Sequence, residues 1–205
     1  MSPRRSAADA LGTRQRIVAR GLWLASEEGL EGVTIGRLAG EVGISKAGLL
    51  GHFGTKQALQ LAVVDAAAEL FAREVPGRVR GVGSGLRWLR AACEAWVSYL
   101  ERGVLPGGCF FTAAAAEFDG REGPVRDALA GLDSLWQRDV RTQVRRAVRA
   151  GELSADTDPD QLVYELVGIM LALNHFLQLR RDPEVPARAR RAVARLLGEA
   201  EPGGQ

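Results

Sequence analysis

Apolar residues recur along this chain at i, i+3, i+4 and i+7, the spacing of one side of a helix, and no stretch alternates apolar and polar residues for long. The pattern predicts an all-α protein of about nine helices. The first runs from about Thr13 to Glu28, with Ile17, Leu22, Trp23 and Leu24 for core and Gly29 as stop. The dozen residues before it carry Arg4 and Arg5 without periodicity and read as a mobile basic arm. Ile35, Leu38, Ala39 and Val42 mark a second, short helix behind a Thr34 N-cap. Gly43 turns the chain, Ile44 fills the angle, and Ser45 caps a third helix that closes at His52 and Phe53.

A fourth helix, from about Thr55 to Val75, has Leu59, Ala62, Val63, Ala66 and Leu70 on one stripe and stops at Pro76-Gly77. Past the glycine-rich link 81–85, Ser84 is the expected cap of a helix reaching about Arg102. There Arg87, Arg90, Glu94, Ser98 and Glu101 share one narrow polar face, so the rest is enclosed. A short helix follows from Phe110 or Phe111 to Asp119-Gly120, and another from Gly123-Pro124 to Ala150, stopped by Gly151. Arg138, Arg141, Arg145, Arg146 and Arg149 on the latter read as a solvated face. Asp158-Pro159-Asp160 starts the apolar run Leu162 to Leu179. That run is short of the roughly 20 residues a bilayer requires and carries Glu165, Asn174, His175 and Gln178, so it reads as a helix buried on most sides rather than a membrane span. Pro183 and Pro186 bracket the entry to a last helix ending near Gly198.

Charge changes this picture slightly. The 205 residues carry 27 Lys or Arg and 25 Asp or Glu, but residues 1–56 hold eight basic and five acidic residues, net +3, leaving 19 and 20, net −1, for the rest. The bias suits a protein that meets DNA with a small part of itself. Cys93 and Cys109 read as small buried hydrophobes, and with two histidines they make no recognisable metal site. No apolar leader follows Met1, which points to a cytoplasmic chain. The Gly81–Gly85 stretch lacks a dinucleotide fingerprint and no Ser or Cys stands in a nucleophile context, so no enzyme activity and no cofactor are expected.

The helix pair within 33–56 carries the candidate chemistry. Ser45, Lys46, Ala47, Gly48 and Leu50 offer a small, sparsely charged surface suited to base edges in a major groove. Thr34 and Arg37 open the second helix and Lys56 the fourth, where unpaired backbone amides attract phosphate. His52 fits either a phosphate contact or a packing role, and Arg4 and Arg5 an adjacent minor groove. Residues 13–62, and Ser45-Lys46-Ala47-Gly48-Leu49-Leu50-Gly51-His52-Phe53-Gly54-Thr55-Lys56-Gln57-Ala58-Leu59 above all, resemble the DNA-binding domain of the TetR family of bacterial transcriptional regulators. The resemblance implies that Phe53 is core, that Lys56 meets a phosphate and that the third helix reads the groove. Leu50 departs from it. An aromatic residue, usually Tyr, is common there and touches phosphate through its hydroxyl; with Leu50 that contact is absent or replaced by an apolar one, such as a thymine methyl.

The expected function is a sequence-specific transcriptional regulator, a homodimeric repressor released from a double-stranded DNA operator by a small, largely apolar effector. Alternatives are a regulator that activates or answers no small molecule, and a non-specific DNA-packaging protein. The expected division is a flexible basic arm at 1–12, a helix-turn-helix DNA-binding domain at 13–56, an effector-binding and dimerisation domain at 57–200 and a flexible tail at 201–205. The last two long helices, Pro159 to Leu179 and Pro186 to Leu197, form the expected dimer surface, a four-helix bundle with their copies. Trp88, Trp96, Tyr99, Phe110, Phe118, Trp136 and Met170 are candidates to line an effector pocket, though each taken singly reads first as plain core. His175 reads as an interface or core histidine.

Overall fold

The computed structural model describes the backbone of residues 3–198 and the side chains of residues 9–198. Among the described residues all regular structure is helical: α1 (Pro3–Glu28), α2 (Ile35–Val42), α3 (Lys46–Phe53), α4 (Lys56–Glu74), α5 (Leu86–Glu101), α6 (Phe110–Phe118), α7 (Pro124–Arg149), α8 (Pro159–His175) and α9 (Val185–Leu196). A 3₁₀ turn covers Pro76–Val79, and α8 runs on through a π turn at Phe176–Arg180. The chain divides into two compact units. One takes the chain up to Glu69 together with Leu105–Gly131, the other Leu70–Val104 together with the chain from Leu132 onward. The expected break between 56 and 57 therefore falls inside α4.

In the first unit Ile17, Leu24, Leu38, Leu49, Leu59 and Val63 are almost wholly buried. Gly21 lets α1 and α4 approach closely, since a Cβ there would lie 3.0 Å from Val63 Cγ2. The capping read from the sequence is present: Thr34 Oγ1 accepts from Arg37 N at 3.2 Å and Ser45 Oγ from Gly48 N at 3.0 Å. Gly43, at φ 71°, takes the left-handed conformation that ends α2. α6 belongs to this unit as well. Its Phe110, Ala114 and Phe118 are buried, and Gly107 just ahead of it could not carry a Cβ, which would fall 1.4 Å from the Ser26 carbonyl oxygen.

In the second unit α5 is nearly enclosed, with Leu89, Ala92, Val97, Tyr99 and Leu100 buried, and its polar face binds α9. Arg190 donates to Glu94 at 2.8 Å through two nitrogens and to Glu101 at 2.7 Å. Both cysteines, Cys93 in this unit and Cys109 in the first, are buried thiols. Burial, with the neighbouring Glu94 charge, pushes Cys93 up to about 12, and burial also raises Cys109.

Four expectations are corrected. α1 begins at Pro3, so residues 3–12 are helical rather than an aperiodic arm. The Ala-rich stretch after Ser6 favours helix, and Thr13 sits inside it with its hydroxyl donating to the Asp9 carbonyl at 2.9 Å. The side chains of Arg4 and Arg5 and the tail 201–205 lie outside the described residues. Trp23 is 44% exposed rather than core. Ser84 does not cap α5. Gly85 precedes the helix at φ 67°, and its first amides are taken by Gln143 at 3.0 Å and Glu152 at 2.8 Å, side chains too distant in sequence to foresee. Finally α8 is not buried on most sides: Tyr164 is 75% and Leu171 45% exposed. The segment Pro159–Arg180, 22 residues whose most apolar 18-residue stretch has a mean hydropathy of 1.5, is long and apolar enough to cross a membrane, and a third of that stretch is buried in this unit.

Candidate nucleic-acid interface

The short α3 presents one face to its unit and the other outward. Leu49 and Phe53 are buried, whereas Ser45, Lys46, Ala47, Gly48 and Leu50 are exposed, the last at 39%. The outward row is the one the sequence assigned to base edges. Phe53 is core, as expected, and the Arg14 guanidinium lies 4.7 Å from the centre of its ring. His52 is half-buried, its ring 6.4 Å from that of Phe53. Lys46 lies back across the start of α2, where a Cβ on Gly36 would meet its Cε at 2.8 Å and its Nζ at 3.2 Å.

The expected phosphate ligands are already engaged. Arg37, exposed with Thr34 at the start of α2, pairs with Glu28. Lys56 Nζ lies 2.8 Å from both the Glu31 carbonyl oxygen and a Glu31 carboxylate oxygen. The same carboxylate accepts from Gln60 at 3.1 Å and faces Arg121 at 3.2 Å. The Lys56 hydrogen bond, then that of Gln60 and the charges of Lys56 and Arg121, hold the Glu31 carboxyl below the usual carboxylate range against its partial burial. Glu117 of α6 accepts from Leu30 N at 3.1 Å and from Glu31 N at 3.0 Å, fixing the loop between α1 and α2. Glu31, Glu117 and Arg121 were not singled out from the sequence. Partners up to 87 residues apart in sequence leave no local signal.

Residues 17–63 match the family described as bacterial regulatory proteins, tetR family, and residues 85–193 the tetracyclin repressor-like C-terminal domain. The transcriptional regulator AcuR of Cereibacter sphaeroides is 30% identical over 182 residues, spanning 87% of this chain and 83% of that protein. This chain belongs to the TetR family. It is a DNA-binding transcriptional regulator with a helix-turn-helix, and not an enzyme. A TetR regulator from Chloroflexus aurantiacus shares its fold at a TM-score of 0.86 and 24% identity, covering 94% of this chain and 98% of that one. AibR, solved with isovaleryl coenzyme A and operator DNA, does so at 0.74 and 19%, covering 92% and 100%.

The second unit of this TetR-family chain holds two further features. Trp88, Trp96, Trp136 and Met170 line a narrow gap between α5, α7 and α8, with Cys93 and Leu166 beside them. Its volume is about 10 Å³, the room of about one water. Phe71 sits edge-on to Trp96 at 5.4 Å, to Trp136 at 5.3 Å and to Tyr99 at 6.1 Å. Four of the seven expected pocket residues thus meet at one place, with Tyr99 next to them. Phe110 and Phe118 do not join them: they belong to the first unit, where Phe110 packs on Phe111 at 5.4 Å and Phe118 lies under Arg121 at 4.9 Å. The other feature is an open groove of about 580 Å³ between α8 and α9, lined by Gly168, Ile169, Ala172, Ala192 and Leu196 and by the charged Glu165 and Arg195. His175, exposed at the end of α8, packs edge-on to Phe176 at 5.4 Å.

Proposed function

We propose that this regulator is a homodimeric repressor, working in the cytoplasm, that leaves its operator when a small and largely apolar molecule enters the second unit. Residues 13–56 form the reading head, with base contacts from Ser45, Lys46, Ala47, Gly48 and Leu50. Thr34, Arg37, His52 and Lys56 bind phosphate. Residues 57–200 bind effector and partner. The observation that carries the reading is the outward row of α3, small and exposed, flanked by cations at two helix starts. A single helix of this length buries too little to pick one operator from a genome, which calls for two heads at fixed spacing. The α8/α9 groove supports a partner there, since its glycine and alanines allow a second copy's helices to approach closely.

The aromatic gap supports an effector site that is nearly closed in this conformation. An effector that opens it shifts the dimer only through unequal affinity for two arrangements. α4 is the proposed lever, because it has residues in both compact units. Footprinting on DNA flanking the protein's own gene tests the reading. A protected site of two half-sites that survives random competitor DNA at a stated salt concentration supports it; protection lost equally to random DNA removes it. An operator on which transcription rises when the protein is added would make it an activator.

A further inference from the structure

We infer that the effector carries a neutral hydrogen-bond acceptor, a ketone, ester or lactone carbonyl, on an apolar body, and that Trp96 and Trp136 recognise it through their indole N–H groups. The inference rests on the effector site proposed above. Among the described residues, the only buried side-chain nitrogens or oxygens lacking a hydrogen-bond partner are Trp96 Nε1 and Trp136 Nε1. Both indoles line the same gap, 5.7 Å apart and edge-on. An indole nitrogen is a donor only, so what it lacks is an acceptor. The ring faces around the pair, those of Phe71 and the opposite indole, are weak acceptors beside a carbonyl oxygen. Buried donors without partners are rare in folded proteins and call for an explanation, and an incoming ligand that supplies acceptors is one.

The remaining lining sets the charge of that ligand. The ten residues around the gap include no Lys, Arg, His, Asp or Glu. A carboxylate would be desolvated there without a counter-ion, and an amine without a carboxylate, so both ionic classes are disfavoured. Met170, unbranched and 1% exposed, is the side chain most able to move aside as the gap widens.

The test uses the full-length protein and three probes of one shape: acetophenone, α-methylstyrene, in which a methylene replaces the carbonyl oxygen, and benzoate. Binding is followed by calorimetry and by the two indole N–H resonances in ¹⁵N spectra, in the natural protein and in Met170→Ala, whose gap is larger. Acetophenone is expected to move at least one indole N–H downfield, α-methylstyrene to move neither in that direction, and benzoate to bind more weakly than acetophenone. Trp96→Phe or Trp136→Phe should weaken acetophenone about tenfold, the scale of one hydrogen bond, and leave α-methylstyrene within about twofold. Acetophenone and α-methylstyrene binding with the same indole response overturns the acceptor inference while leaving the effector site standing. Benzoate binding tightest also overturns it. No binding of any probe, in Met170→Ala included, overturns the effector site and the inference together.

Discussion

The Lys56 ammonium rests 2.8 Å from the carboxylate of Glu31, so the residue proposed to meet a DNA phosphate holds a protein anion in its place. On that proposal, DNA binding at this point exchanges one anion for another. Lys56→Ala is expected to weaken operator and random DNA by about the same factor and to reduce the slope of log K against log salt by about 0.9, for one phosphate contact. Glu31→Gln should act in the opposite sense, tightening both, because it removes the competing charge while keeping a side chain that accepts from Lys56. Filter binding or anisotropy across a salt series measures both variants. Weaker binding by Glu31→Gln would make Glu31 a positioning group for Lys56 and not its competitor.

Glu117 reaches the same loop from α6. Its two oxygens satisfy the N–H groups of Leu30 and Glu31, donors that the fold otherwise leaves open just ahead of α2. Glu117→Ala is expected to cost about 1–2 kcal/mol in urea unfolding, the range for a hydrogen bond to a charged group in a partly exposed setting. Amide exchange at Leu30 and Glu31 should quicken more than in the α8 core. Unchanged exchange at those two amides would sink this account.

The helices, their order and most caps were legible in the sequence because they rest on local chemistry: Thr34, Ser45, Thr55 and Asp158 each cap within three residues of themselves. What was not legible depends on contacts between distant segments. The Gln143 and Glu152 caps of α5, the Glu117 anchor and the placing of Phe110 and Phe118 away from the other aromatics are of this kind. Trp23 shows a different limit. It is apolar and lies beside Leu22 and Leu24, yet consecutive residues on a helix point about 100° apart, and the stripe could not take all three. The outward row of α3 was legible because local periodicity puts Leu49 and Phe53 on the opposite, buried face.

Arg190 ties α9 to α5 through Glu94 and Glu101, and its hydrogen bond holds the Glu101 carboxyl below its ordinary value. A carboxyl with a lowered folded-state value stabilises the fold above its unfolded value, and that contribution disappears as pH falls through the folded one. The three groups are partly exposed, so the network is worth only about 1 kcal/mol. Arg190→Ala should therefore lower the urea midpoint slightly at pH 7, and the gap to the natural protein should close below about pH 4. A gap that persists at pH 3 would mean that Arg190 acts by packing its stem and not by charge.

Leu171 stands 45% exposed on α8, the helix that floors the proposed dimer groove. If the subunit were a monomer in solution, Leu171→Glu would replace a surface leucine with a carboxylate and change stability by no more than about 0.5 kcal/mol. In a dimer sealed by α8 and α9 the same change would bury a carboxylate in place of an apolar side chain at the seam, which is unfavourable. Sedimentation is expected to show a dimer for the natural protein and a folded monomer for Leu171→Glu, with the circular dichroism of the two alike. Operator affinity should then fall by orders of magnitude while weak random-DNA binding stays close to its value per head, because specificity comes from joining two heads and the phosphate contacts belong to each. A Leu171→Glu protein that remains dimeric would move the partner surface off this face of α8.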